Sequence, residues 1–120
     1  MPNTDPINDS PYITSYILKK SSEATGARLL PLGAFTRGLK EECLAEIGSM
    51  KVEGAVGFSD GGKSIENTYL MRKILDYVHG FNSLAICHCE DSFLGKGILF
   101  FENVFFFFFP KKLKIKIWRE

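Results

Sequence analysis

Asp60 and His88 are the residues of this chain whose types and setting could do chemistry. The run Gly57-Phe58-Ser59-Asp60 ends an apolar stretch with a carboxylate, and Ile86-Cys87-His88-Cys89-Glu90-Asp91 ends another with an imidazole followed by two carboxylates. Oxygen and nitrogen donors that reach one mouth from neighbouring strands are the kind that hold a catalytic zinc, provided coordination stays open for a water. Asn3, in the opening Met1-Pro2-Asn3, would stand at the end of a further strand and present a neutral amide. Each has a plainer reading. Asp60-Gly61-Gly62 is a good turn, in which the aspartate serves as turn former or helix cap, and His88 could be a hydrogen-bonded structural histidine. Cys87 and Cys89 flank His88 in strand alternation and point away from the side it faces, which makes them poor co-ligands.

Such groups need elements to carry them. Ser10 followed by Pro11 is a helix start, and the spacing predicts a helix over residues 11–25, with Tyr12, Ile13, Tyr16 and Ile17 as a buried stripe and Gly26 as the stop. Residues 28–35 read as a buried strand, weakened at its centre by Pro31. Leu39, Cys43, Leu44 and Ile47 recur at helical spacing and predict a second helix over residues 39–50. A short apolar strand follows over residues 54–59. The third helix spans residues 67–79, with Leu70, Met71, Ile74, Leu75 and Val78 on one face, and a further strand covers residues 83–88. Strands that alternate with helices predict an α/β fold with a parallel sheet and right-handed crossovers. A doubly wound sheet and a (β/α)₈ barrel both satisfy that order. No strand-to-helix turn carries the glycine fingerprint of a dinucleotide fold, so the barrel is favoured. A complete barrel takes about 250 residues, so these elements amount to about three consecutive βα units, a partial TIM barrel.

Composition sharpens this reading. The chain has 120 residues, of which 45% are hydrophobic, enough to bury a core. Fifteen basic and fourteen acidic residues leave a net charge of +1, so no bulk field favours nucleic acid or an anionic membrane. The three cysteines, Cys43, Cys87 and Cys89, are too few and too close to staple a secreted scaffold, and a reducing cytoplasm is the simpler expectation. No signal-like start and no run of about eighteen apolar residues occurs. The character of the chain changes near Leu99. Residues 1–99 read as the domain, whereas residues 100–120 form a low-complexity tail with five consecutive phenylalanines and then a basic cluster. A membrane-surface role is one reading of that tail. The other is out-of-frame translation, because Phe and Lys codons are T-rich and A-rich.

Together MPNTDPINDSP, RLLPLGAFTRGLKEECLAEIG, GAVGFSDGGKSIEN, LMRKILDY and ICHCEDSFLGKG closely resemble the middle of the bacterial type I dihydroorotases, over about residues 1–99. These belong to the amidohydrolase superfamily. The resemblance implies a zinc-supported (β/α)₈ barrel that interconverts dihydroorotate and N-carbamoyl-L-aspartate in pyrimidine synthesis. It implies that Asn3 contacts the substrate carboxylate and that Asp60 and His88 are metal ligands. It also implies that further histidine ligands and the catalytic aspartate lie outside this chain, so the chain alone is expected to be inactive. The family usually reads Asp-Asp-Gly where Asp60-Gly61-Gly62 stands here. Dihydropyrimidinase, hydantoinase and allantoinase share the implied fold and cyclic-amide chemistry, but typically use a carboxylated lysine, and the strand over residues 54–59 has none. A non-catalytic structural partner of aspartate carbamoyltransferase is the alternative from a different class. The partners so implied are a small-molecule substrate and either a homo-oligomer or that transferase.

Overall fold

The computed structural model describes residues 1–24 and 26–88, and within them three short strands form one parallel sheet. In chain order the elements are α1 (Pro11–Glu23), β1 (Leu32–Gly33), a 3₁₀ turn (Arg37–Leu39), α2 (Ile47–Glu53), β2 (Gly57–Phe58), α3 (Thr68–Gly80) and β3 (Leu84–Ala85). The sheet order is β1-β2-β3, with Leu32 opposite Gly57 and Phe58 opposite Ala85. Main-chain bonds extend the pairing past the named strands, from Val56 N–H to Pro31 O and from Ile86 N–H to Phe58 O. Consecutive parallel strands joined through helices are the expected α/β arrangement.

Beyond β1 the N-terminal segment takes the place of a fourth strand. Asn8 O accepts the Ala34 N–H at 2.8 Å, and the Asn8 side chain donates to Leu32 O at 2.8 Å. Asn8 is buried, and its Oδ1 accepts the hydroxyl of buried Thr14 on α1 at 2.8 Å. One side chain therefore fixes strand, loop and helix together.

The core lies between the sheet and its helices. Phe35, Ile47, Met50, Phe58, Ile74 and Val78 are fully or almost fully buried there. Gly33 is required by this packing, since a Cβ on it would lie 2.8 Å from the Phe58 ring and 3.0 Å from the Met50 sulfur. At the end of α2, Gly54 takes the left-handed conformation (φ 114°) that closes the helix.

α3 follows its sequence pattern closely. Asn67 caps it by accepting the Leu70 N–H at 3.1 Å, and Leu70, Ile74 and Val78 form its buried stripe. Other expectations are corrected. In α1, Tyr12 and Tyr16 are exposed, Ile13 and Ile17 are half-buried, and Thr14 is the buried residue. Ser10 makes no side-chain cap; its carbonyl instead accepts from Thr14 N and Thr14 Oγ1. The helix expected over residues 39–50 does not form as one element. Thr36 pairs with Leu44 as an antiparallel bridge around the 3₁₀ turn, and helix begins only at Ile47. Thr25, Cys89, Glu90, Asp91, the change of character near Leu99 and the tail over residues 100–120 lie outside the described residues. Among the described residues no helix is long and apolar enough to cross a membrane.

Candidate functional site

The C-terminal ends of the strands gather the polar residues that the sequence singles out. Asp60 follows β2 by two residues and is only 3% exposed. Its Oδ1 accepts two main-chain N–H groups from the end of the neighbouring strand, Phe35 at 2.6 Å and Thr36 at 3.1 Å. Its Oδ2 accepts the Thr36 hydroxyl at 2.5 Å. That hydroxyl in turn accepts the Glu41 N–H at 3.3 Å. Burial pushes the Asp60 carboxyl above its ordinary range; the Thr36 and Phe35 donors pull the other way, and the Glu41 charge adds to the rise.

Asn3 stands beside the turn after Asp60. A Cβ on Gly61, which has φ 72°, would meet Asn3 Cβ and Cγ at 3.9 Å, so the two segments are in van der Waals range. Asn3 is exposed. His88 lies three residues past β3 and is also exposed. Counted on from the β2–β3 register, Asp60 is level with Cys87, which packs half-buried against the core. The structure thus brings Asn3 and the Asp60-Gly61 turn together, with His88 at the end of the next strand.

This arrangement does not present a ready zinc site. Among the described residues no three His, Cys, Asp or Glu side chains form a group that could hold a metal ion. Both Asp60 oxygens face donors of the protein itself, and an ion there would compete with buried N–H and O–H groups for the same carboxylate.

Several residues that build this end of the sheet were not singled out by sequence. Asp9 Oδ2 accepts the Gly38 N–H at 2.8 Å. Thr36 is fully buried, as are Asn8 and Thr14. The dense polar run Asn8-Asp9-Ser10 was the available signal, but it reads locally as a helix cap. Its partners near residues 32–38 are distant in sequence.

The fold and its strand ends define a parallel α/β unit with a polar carboxyl-end face. No family model matches the chain. Curated relatives are nonetheless clear. It is 43% identical over 100 residues to a protein of Syntrophotalea carbinolica named dihydroorotase, covering 82% of this chain and 24% of the relative. It is 43% identical over 103 residues to the dihydroorotase of Syntrophobacter fumaroxidans, covering 86% of this chain and 24% of the relative. To that of Desulfotalea psychrophila it is 46% identical over 96 residues, covering 80% and 23%. The chain corresponds in sequence to a segment of the bacterial dihydroorotases, and it spans about a quarter of the length of these relatives.

Proposed function

We propose that the chain contributes part of a dihydroorotase, which interconverts dihydroorotate and N-carbamoyl-L-aspartate within a metal-dependent (β/α)₈ barrel. The observation that carries this reading is the 43–46% identity to these proteins of one name, over most of the chain. The parallel β1-β2-β3 sheet supports it, because consecutive parallel strands with intervening helices are what a segment of such a barrel supplies. On this reading the carboxyl-end face is the substrate side. The amide of exposed Asn3, beside the Asp60-Gly61 turn, offers a neutral donor to a substrate carboxylate. His88, exposed after β3, is the zinc-ligand candidate of the described residues. The remaining donors and the catalytic base come from outside the described residues.

A segment swap tests the reading. Residues 1–88 replace the matching part of a bacterial dihydroorotase, and the chimera is assayed on dihydroorotate, dihydrouracil, hydantoin and allantoin. Retained turnover of dihydroorotate alone supports the proposal. A preference for another cyclic amide overturns it. A folded chimera that assembles with aspartate carbamoyltransferase but turns over nothing favours the structural-partner alternative.

A further inference from the structure

We propose that Asp60 is a buried latch that ties the ends of β1 and β2 together and seats the 36–44 loop, and that it takes no metal in this chain. The latch is read from the hydrogen bonds. Phe35 N–H, Thr36 N–H and Thr36 O–H all converge on one carboxylate, and they occupy both of its oxygens. These donors come from β1's end, whereas Asp60 belongs to β2's end. The bond network continues into the loop, because Thr36 Oγ1 also accepts from Glu41 N–H.

The loop needs such an anchor. Gly38, Leu39 and Glu41 have φ values of 62°, 56° and 59°, and two of these residues carry side chains that disfavour the left-handed region. None of residues 37–43 is fully buried, and of them Leu39 rests half-buried against the core, so apolar packing supplies only part of the shape. The rest comes from polar contacts, among them the Thr36–Leu44 bridge, the Arg37 N–H to Cys43 O bond at 3.0 Å, Asp9 on Gly38, the Asp60–Thr36–Glu41 chain and Glu41 on the Glu66 N–H. The three donors leave open only the second lone pair of Oδ2, so an ion there would crowd the Thr36 hydroxyl proton on the same oxygen, and a displaced hydroxyl would be left buried without this acceptor.

The metal half of the proposal rests on the dihydroorotase reading; the latch half does not. Hydrogen exchange on the 120-residue chain tests both, in metal-free buffer and with zinc alone, using wild type, Asp60→Ala, Asp60→Asn and Thr36→Val. Amides of α3 serve as the internal reference for global opening. In Asp60→Ala the Phe35, Thr36 and Glu41 amides are expected to exchange about tenfold faster or more, and in Thr36→Val the Glu41 amide does so. Asparagine retains an oxygen for both main-chain donors, so Asp60→Asn keeps the Phe35 and Thr36 amides within about threefold of wild type. Zinc changes none of these rates. If Asp60→Ala fails to fold, Thr36→Val and Asp60→Asn decide. Wild-type protection in the folded Asp60→Ala or in Thr36→Val overturns the latch. Zinc-induced slowing in wild type that Asp60→Asn abolishes overturns the exclusion of metal. Exchange requires no turnover, so this experiment and the segment-swap assay fail separately.

Discussion

α3 and the 36–44 loop belong to one small parallel unit, yet they are held in different ways. α3 carries its own instructions: an Asn67 cap, then Leu70, Ile74 and Val78 four residues apart, all buried against the core. The loop fully buries none of residues 37–43, with Leu39 half-buried on the core, and it takes much of its shape from carboxylates supplied elsewhere, Asp9 before α1 and Asp60 after β2. Even Glu41 within the loop reaches out, accepting the Glu66 N–H at 3.1 Å. Apolar periodicity fixes an element from within, whereas an irregular segment at a strand end depends on long-range polar contacts. The first is robust to distant substitution and the second is not.

The largest expected effect breaks the α3 side of the comparison. Ile74 is fully buried, so Ile74→Ala should destabilise the chain by about 2–5 kcal/mol through lost transfer energy and the cavity left behind. Urea unfolding measures this as a fall in midpoint. A cost well below that range would mean that the helix is not held by its apolar stripe.

On the loop side, Asp9→Ala removes the acceptor of the Gly38 N–H and should cost about 1 kcal/mol, because Asp9 is only half-buried. The effect should be local. Trypsin should cut faster after Arg37 and Lys40, both exposed, while protection of α3 is unchanged. Equal loosening of α3 would erase the distinction between the two regions.

The same contrast explains what could be read in advance. The third helix was legible because its cap and stripe are neighbours in sequence, and Thr68–Gly80 falls within a residue of the expected 67–79. The parallel pairing of the strands was legible from their alternation with helices. The helix expected over residues 39–50 was not, since the spacing of Leu39, Cys43, Leu44 and Ile47 mimics a helical stripe while Thr36 captures Leu44 into a bridge. The α1 stripe misled for a related reason: Thr14, a polar residue, faces inward because buried Asn8 awaits it, and the tyrosines are left outside. Asp60 was recognisable as a strand-end carboxylate. Its partners stand 24 and 25 residues earlier, and no local pattern announces them.

A titration sharpens the role of the Asp60 carboxylate. Burial raises its pKa above the ordinary 3.8, so the folded chain holds the proton more tightly than the unfolded chain. Stability from this group is therefore fully present below the unfolded value and is lost as pH rises through the folded one. Asp60→Asn cannot titrate. The stability of wild type relative to Asp60→Asn should fall as pH rises from about 3.8 through the folded value, as followed by urea midpoints at stepped pH. A gap that moves in wild type's favour over that window would mean that the Phe35 and Thr36 donors outweigh burial.

The smallest effect belongs to the loop's surface pair. Arg37 Nη2 lies 3.4 Å from Glu46 Oε1, and both side chains are largely in solvent, at 62% and 44% exposure. Holding two long side chains in one geometry costs entropy, and water weakens their attraction, so such a pair contributes about 0–1 kcal/mol. Glu46→Gln should therefore shift the urea midpoint little at low salt and not measurably at high salt, where exposed charges are screened. It should also leave trypsin cleavage after Lys40 near the wild-type rate, in contrast to Asp9→Ala. A large opening of the loop in Glu46→Gln would transfer its anchorage from the buried carboxylate to the surface, and the contrast with α3 would then rest on exposed charge instead of the Asp9 and Asp60 contacts.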